Sequence, residues 1–276
     1  ELANARDRLS ATQEILEVIS QSRDDEMPVF KRILERAAKL CDAPSAGLQL
    51  VNEDRTRFVY VCKWGEDRSS MEYGESWPLG DSPLMVPTAI REARVVHNPD
   101  ISDDPIYKDG DPTRVRLVEK EGIRTYLVVP LVSGEAAVGT ITLIRREVRP
   151  FSDDEISLVE TFAAQAVIAI ENVRQFREIQ TRLERERASA EILGVMSRSR
   201  DNEKPVFDTI LDCAKRLCGA DSVTVLMANA DRTSLTLRAA VGARRASNLG
   251  ETHSITSGHT SSDAVLTGRP AQIADA

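Results

Sequence analysis

The chain has few side chains whose type and spacing could support catalysis or bind a metal. Its 276 residues include three histidines, His97, His253 and His259, none of which has an orienting partner in a recognisable motif. No phosphate-binding loop, nucleophile elbow or zinc-ligand spacing occurs. We therefore expect the histidines to be structural or solvent-facing, and we predict no catalytic residue and no metal ligand.

The four cysteines, Cys41, Cys62, Cys213 and Cys218, form no C-x-x-C pair. Three of them lie in apolar or amphipathic runs, which is typical of reduced structural thiols and favours a cytoplasmic protein. Cys62 lies at the end of a predicted strand and could line a pocket. A buried structural thiol is the favoured interpretation of Cys62.

Five aspartates between residues 100 and 111 could suggest a calcium loop, because carboxylates are ligands for hard cations. However, Pro105 occupies the place where an EF-hand counted from Asp100 requires glycine. The segment is therefore predicted to be a solvated loop.

The aromatic side chains that could line a ligand pocket are concentrated in one segment. Both tryptophans and all four tyrosines lie between residues 60 and 126. Binding pockets favour aromatic walls with a few polar groups, although the same side chains could instead fill the space as core. The candidate lining residues are Trp64, Tyr73, Trp77, Tyr107 and Tyr126. The predicted ligand is a small, partly apolar molecule of unidentified structure, and no cofactor is assigned.

Charge and composition exclude several classes of partner. The chain carries 36 Lys and Arg against 44 Asp and Glu, a net charge of −8, so nucleic acids and anionic membrane surfaces are poor partners. Its longest apolar stretch, 162–170, contains Gln165 and is far shorter than the roughly 18 residues that span a bilayer. The length and an aromatic content of 4% favour two modules over one large enzyme core.

An internal repeat determines the predicted architecture. Residues 14–65 align without a gap on residues 191–242, and 24 of the 52 positions are identical. The chain is therefore predicted to hold two copies of one module, the second incomplete because the sequence stops at Ala276. The start at Glu1 is expected to lie inside a longer chain.

Periodicity within the first copy predicts an α+β module with an amphipathic helix followed by strands. Apolar residues at helical spacing follow Pro28, and β-rich runs flank the turn at 52–56. Two long connections, 66–94 and 98–123, are expected to be functional loops, the first carrying a short helix at 84–93. The predicted strands are 47–51, 58–62, 95–97, 126–132 and 137–144.

A long helix is predicted from Ser152, a good N-cap that three acidic residues follow, and no Gly or Pro interrupts it as far as residue 191. Apolar residues recur in steps of three and four, as in the seam of a coiled coil. We predict that a parallel homodimer forms through these helices. The predicted seam residues are Ile156, Val159, Ala163, Ala166, Ile170 and Val173, followed after a shift by Phe176, Ile179, Leu183, Ala190 and Leu193.

Five groups of residues give the first copy a specific resemblance to the GAF domain family. They are Pro28, Val29 and Phe30 with Leu40 and Cys41; Val129, Pro130 and Leu131; Val138, Gly139 and Thr140; the run 149–155; and the helix segment 162–172. The resemblance implies an antiparallel sheet flanked by helices, in two copies joined by a long coiled-coil-like helix. The predicted domains are an N-terminal signalling helix at 1–22, a first GAF domain at 23–151, a closing and linker helix at 152–199, and a second, incomplete GAF domain at 200–276.

The chain also resembles the tandem GAF region of bacterial multi-GAF sensor histidine kinases. This resemblance implies a cytoplasmic sensor that binds a small molecule and relays the change through dimeric helices to a C-terminal output domain. The alternatives are a ligand-free scaffold for dimerisation and the regulatory region of a nucleotide cyclase. Segment 66–123 lacks the cysteine that bilin attachment or methionine sulfoxide reduction requires, and the pattern of cyclic-nucleotide GAF domains is absent. No enzyme activity and no membrane contact are expected for this chain.

Overall fold

A computed structural model describes residues 15, 18, 24–65, 73–199, 202–242 and 249–273. The chain divides into two compact units, Glu1–Arg177 and Glu178–Ala276, which are described separately below. The predicted N-terminal helix at 1–22 lies outside the described residues, apart from Ile15 and Val18.

Helix α1 (Met27–Leu40) begins the described part of the first unit, with Pro28 in its first turn. Proline fits there because the first turn of a helix leaves its N–H groups without intrahelical partners. The apolar residues repeat at helical spacing and face inward, as the sequence predicts. The buried side chains of α1 are Val29, Phe30, Ile33, Leu34, Ala37 and Ala38.

The described residues of the first unit form a six-stranded antiparallel sheet with the strand order β3-β2-β1-β6-β5-β4. The sheet confirms all five predicted strands, with ends that differ by a few residues. The short strand β3 was not predicted. The strands are β1 (Ser45–Val51), β2 (Arg57–Gly65), β3 (Ser76–Pro78), β4 (Val96–Asn98), β5 (Thr125–Ser133) and β6 (Ala136–Arg145).

Both faces of this sheet are covered, which explains why β5 reads as a continuous apolar run. Leu127, Val129 and Leu131 pack on one face with α1 and the first half of the long helix. Tyr126 and Val128 point to the opposite face, where shorter helices cover the sheet. The cavity described below lies on this second face.

The described residues of the long connections form three helices, α2 (Met85–Glu92), α3 (Pro105–Lys108) and α4 (Pro112–Glu119). The prediction that 100–111 is a solvated loop is therefore wrong in part. Asp104 accepts a hydrogen bond from the Ile106 amide at 2.8 Å, and Asp111 accepts one from the Arg114 amide at 2.8 Å. These carboxylates cap helices α3 and α4, in a segment whose Asp, Pro and Gly residues had indicated a loop.

Helix α5 (Asp153–Arg198) begins as predicted, with a reciprocal cap. The Ser152 amide donates to Glu155 Oε2 at 2.8 Å, and the Glu155 amide donates to Ser152 Oγ at 3.3 Å. The first unit includes this helix as far as Arg177, beyond the predicted boundary at residue 151, because the first half of α5 packs on the sheet.

The predicted seam at the start of α5 is wrong. Val159, Ala163 and Ala166 are buried in the core that α5 forms with the sheet and α1, and Ile156 and Ile170 pack against the same core. Val173 is buried as well. Steps of three and four mark any buried helix face, so the pattern does not distinguish a partner helix from the chain's own sheet.

One stretch of α5 has a mean hydropathy of 1.4 over 18 residues, sufficient by length and composition for a membrane span. Half of that stretch is buried inside the fold. A core helix that packs on a sheet has the same composition, and Phe162 and Ala166 are fully buried in this way.

In the second unit, the described residues form α6 (Lys204–Cys218), a sheet with the order β7-β8-β9 and α7 (Thr260–Thr267). These elements follow the order of α1, β1, β2, β3 and α2 in the first unit. The strands are β7 (Val223–Ala228), β8 (Ser234–Val241) and β9 (Thr252–Ser254).

The strand register also repeats between the units. Ala46 faces Trp64 in the first unit, and Val223 faces Val241 in the second. Gly65 and Gly242 both have positive φ, and a Cβ on either would lie about 2 Å from a backbone oxygen of the neighbouring loop. The internal sequence repeat therefore corresponds to a local structural repeat.

Candidate functional site

A cavity of about 290 Å³ lies on the second face of the sheet, against α2 and α4. Strands β1, β2, β3 and β5 supply one wall, and the two helices supply the other. Its residues are Gln49, Phe58, Trp77, Pro78, Ser82, Leu84, Met85, Val86, Pro87, Asp111, Thr113, Arg114, Arg116, Leu117 and Tyr126. This volume corresponds to roughly ten water molecules and lies at the small end of ligand pockets.

The aromatic part of the cavity wall consists of two stacked rings and a buried tyrosine. The rings of Phe58 and Trp77 stack with centroids 5.7 Å apart, because the two residues pair across β2 and β3. Tyr126 is buried beside them, and burial raises the pKa of its phenol to about 12. The Tyr126 hydroxyl therefore stays protonated and able to donate a hydrogen bond throughout the physiological range.

A buried polar network lies on the sheet side of the cavity. Thr140 Oγ1 donates to Gln49 Oε1 at 2.7 Å, and Gln49 Nε2 donates to Thr142 Oγ1 at 3.4 Å. These bonds join neighbouring strands β1 and β6, so the Gln49 carboxamide is fixed against the sheet. A fixed polar group among apolar side chains can orient a ligand.

Two arginines of α4 line the cavity from the opposite side. Arg114 is 1% exposed, and its Nη2 lies 3.4 Å from Asp104 Oδ2. The Arg116 Nε atom lies 3.9 Å from Glu121 Oε1. Among the described residues, the Nε and Nη2 atoms of both guanidinium groups are buried without a hydrogen-bond acceptor. Such donors are unfavourable unless an acceptor occupies the cavity.

A smaller cavity of about 50 Å³ shares Gln49, Leu117 and Tyr126 with the main cavity and includes Trp64 in its wall. Trp64 also borders an open groove beside α1, which Lys39 and Arg149 line as well. The groove does not lie on the sheet face that holds the main cavity.

The five predicted lining residues are therefore only partly brought together. Trp77 and Tyr126 line the main cavity, whereas Trp64 lines the smaller cavity. Tyr73 is 68% exposed, and the Tyr107 hydroxyl lies 3.4 Å from Glu119 Oε1 at the surface. Neither Tyr73 nor Tyr107 lines the main cavity, because their backbones lie in connections that place these rings outward.

Sequence reasoning missed the residues that give the cavity its polarity. Gln49 lies in a predicted strand, but its polarity gave no indication of which face it occupies. Arg114 follows the cap Asp111 in a segment interpreted as loop, so nothing indicated a buried guanidinium there. The spacing of Asp111, Pro112 and Arg114 was the available signal, since an aspartate followed by proline favours a helix start.

Two other titratable groups of the first unit, His97 and Cys62, have structural roles. His97 Nε2 accepts a hydrogen bond from the Phe151 amide at 3.1 Å. Burial lowers the pKa of His97, and the Arg145 cation lowers it further. Cys62 lies in the core against α1, where burial raises the pKa of its thiol, which confirms the interpretation as a structural thiol. In the part of the chain that the structure describes, no cluster of three His, Cys, Asp or Glu side chains could hold a metal ion.

Comparison with known proteins gives the same fold. The GAF domain family model matches residues 25–170. Residues 122 to 287 of a methyl-accepting chemotaxis protein are 18% identical, with a TM-score of 0.50 over 60% of this chain and 99% of that one. The GAF domain of a Coxiella burnetii phosphoenolpyruvate-protein phosphotransferase is 16% identical, with a TM-score of 0.51 over 62% and 97%.

A bacteriophytochrome of the photosynthetic bacterium R. palustris is 11% identical to the chain, with a TM-score of 0.61. This match covers 78% of the present chain and 47% of the bacteriophytochrome. Similarity at these identities supports the fold alone and does not identify a ligand.

Proposed function

The chain belongs to the GAF domain family, and we propose that its first unit is a sensory domain that binds a small molecule in the main cavity. GAF domains typically serve as small-molecule sensory domains in signalling proteins. The observation that supports this proposal is the cavity of about 290 Å³, whose wall includes the stacked rings of Phe58 and Trp77 and the polar side chains of Gln49 and Arg114. Apolar walls supply affinity, and a few fixed polar groups supply orientation.

The alternative of a ligand-free scaffold predicts a cavity that the protein fills with its own side chains. The open volume between Trp77 and α2 favours the sensor instead. Cavity occupancy can be tested by incubating the chain with a bacterial metabolite extract, desalting it rapidly and identifying the retained compounds by mass spectrometry. We expect the wild-type chain to retain a small molecule that a variant with a filled cavity does not.

Leu84→Trp fills the cavity from the half-buried start of α2, and Leu266→Trp is the matched control on an exposed leucine of the second unit. Retention by wild type and Leu266→Trp, with loss in Leu84→Trp, supports the proposal. The same compounds retained by all three proteins would place binding elsewhere. A wild-type chain that retains nothing would favour the scaffold.

We propose further that the sensor is a homodimer in which the exposed half of α5 pairs with its copy. Ile179 and Leu193 are 57% and 64% exposed, and Leu183 is 41% exposed. With Phe176 and Ala190 they fall on the a and d positions of successive heptads, at steps of three, four, seven and three. A stripe of this kind is complementary to itself, which favours a second copy as its partner. A change in the cavity would then travel along α5 to an output domain.

The equivalent register and glycine positions support the proposal that the second unit is a second GAF copy. The proposed output is a histidine kinase, with a nucleotide cyclase as the alternative, and the resemblance to multi-GAF sensor kinases is its support. The buried thiols Cys41, Cys62 and Cys213 favour a reducing, cytoplasmic setting. Expression of the complete reading frame, followed by assays for autophosphorylation and for cyclic-nucleotide synthesis, tests the output.

A further inference from the structure

We propose that the ligand of the main cavity is an organic carboxylate with an apolar or aromatic body, held by Arg114 and Arg116. This inference rests on the proposed function, because it names the class of molecule that the cavity takes. It starts from the donors that the fold leaves buried without acceptors.

Arg114 is a fully buried cation in the cavity wall. Its Nη1 atom contacts Met85 Sδ at 3.7 Å, a weak acceptor, and its Nε and Nη2 atoms have no hydrogen-bond acceptor among the described residues. The Nε and Nη2 atoms of Arg116, two residues further along α4, are also buried without a hydrogen-bond acceptor among the described residues. Two of these four nitrogens, Arg114 Nη2 and Arg116 Nε, lie 3.4 and 3.9 Å from carboxylate oxygens of Asp104 and Glu121 without forming a hydrogen bond. The cavity is the space in which a better-placed acceptor can sit.

The carboxylates nearby are already engaged. Asp104 accepts hydrogen bonds from the Ile106 amide and the Asn98 carboxamide, and it does not line the cavity. Asp111 lines the cavity but accepts from the Arg114 amide at 2.8 Å. The described lining residues thus carry two guanidinium groups against one carboxylate, Asp111, which is committed to a helix cap. Outside the lining, Asp104 pairs with Arg114 and Glu121 pairs with Arg116, both without a hydrogen bond between the paired atoms.

A carboxylate matches this wall in both charge and geometry. Guanidinium groups bind carboxylates through paired hydrogen bonds, and such charge-assisted bonds are about twice as strong as neutral ones. The ion pairs with Asp104 and Glu121 offset part of the charge of Arg114 and Arg116, so a single negative charge suits the site better than the two charges of a phosphate monoester. Phe58, Trp77 and the apolar residues of α2 would contact the body of the ligand.

The inference is tested with probe pairs that share one skeleton and differ in charge. We would titrate the wild-type chain by calorimetry with 3-phenylpropionate and its primary amide, and with 4-phenylbutyrate and its amide. We expect each acid to bind about tenfold more tightly than its amide, because one charge-assisted hydrogen bond is worth at least that factor. Trp77 emission should change on binding, since its ring lines the cavity.

Three variants separate ligand recognition from a purely structural role of Arg114. Arg114→Gln should remove the preference for the acid. Asp104→Asn should strengthen binding of the acid and leave the amide unchanged, because it relieves Arg114 of its competing partner. Arg94→Gln is the matched control, since Arg94 is an exposed arginine that pairs with Glu92.

Equal affinity of acid and amide for the wild-type chain would overturn the inference, and so would an acid preference that persists in Arg114→Gln. If neither series binds at millimolar concentration, the assignment to a carboxylate fails. If Arg114→Gln does not fold, the wild-type pairs and Asp104→Asn decide the question. A neutral compound retained from the metabolite extract by wild type and lost in Leu84→Trp would leave the proposed function intact while removing this inference.

Discussion

The Nη2 atom of Arg145 lies 2.6 Å from Glu155 Oε1 and joins the end of β6 to the first turn of α5. Arg145 is 1% exposed, and its guanidinium carbon lies 3.8 Å from the centre of the Phe151 ring. Arg145 Nη1 also donates to the carbonyl oxygens of Arg149 and Pro150, at 2.8 and 3.0 Å. The pair thus fixes where helix α5 begins relative to the end of β6.

Arg145→Gln should destabilise the first unit by about 3–5 kcal/mol, because Glu155 loses its buried cationic partner and the carbonyl groups of Arg149 and Pro150 lose their donor. Trp64 and Trp77 both lie in the first unit, so urea unfolding followed by tryptophan emission reports its stability. Arg149→Gln is the control, since Arg149 is 40% exposed and pairs with exposed carboxylates; it should lose no more than about 1 kcal/mol. Equal losses in the two variants would contradict the role given to Arg145.

His97 should make the first unit less stable as the pH falls below about 6.5. Its pKa is lowered in the folded state by burial and by Arg145, with Glu155 opposing, so the unfolded chain binds its proton first. The free energy of unfolding should therefore fall with decreasing pH, by at most about 1.4 kcal/mol per pH unit from this group.

His97→Gln keeps an acceptor for the Phe151 amide and cannot titrate, so its stability should change less than that of wild type between pH 7 and 5. Asp100 contributes to the pH dependence of stability only below about pH 4, because the hydrogen bond from Arg124 lowers the pKa of its carboxyl group. Identical pH profiles of wild type and His97→Gln, measured by urea unfolding, would remove His97 as the cause.

Charges placed on the two halves of α5 should have different effects. Ala166 is fully buried against the sheet, so Ala166→Glu should destabilise the first unit by more than about 3 kcal/mol. Leu183→Glu changes the exposed stripe and should convert a dimer to a monomer without altering the tryptophan emission spectrum. Gln180→Glu, on an exposed position outside the stripe, is the control.

Sedimentation velocity measures the oligomeric state in these variants. A wild-type monomer at high concentration would count against the dimer, as would a Leu183→Glu variant that sediments like wild type. A folded, monomeric Ala166→Glu variant would instead indicate that Ala166 lies in a dimer seam, contrary to its burial against the sheet.

Gly139→Ala should destabilise the sheet because strands β1 and β6 approach closely at this position. A Cβ on residue 139 would lie 2.3 Å from the Gln49 carbonyl oxygen, a distance that requires the backbone to move. We expect a loss of about 1–3 kcal/mol, as in other overpacked sites, and a lower midpoint of tryptophan-detected unfolding. Gly194→Ala, in the second-unit half of α5, should leave that midpoint unchanged; a shift of the same size in both variants would refute the explanation.

Much of the first unit could be predicted because its elements have strong local signals. The strand β5 and the cap at Ser152 were found from apolar runs and from capping chemistry, and both are confirmed. Strand β3 and helices α3 and α4 were missed because they lie in the two long connections, and the Asp, Pro and Gly residues of 98–123 indicated a loop. Two of the five predicted pocket aromatics, Trp77 and Tyr126, line the main cavity.

The sequence by itself determined most of the elements, the repeat at an offset of 177 residues and the amphipathic character of the long helix. Each of these depends on residues that are neighbours in the chain or on a comparison of the chain with itself. Tertiary structure alone decided that Ala166 packs against the chain's own sheet and that Arg114 lies buried in the wall of the cavity that Trp77 also lines. A period reveals that a face is apolar, but the surface that covers it is set by contacts between distant residues.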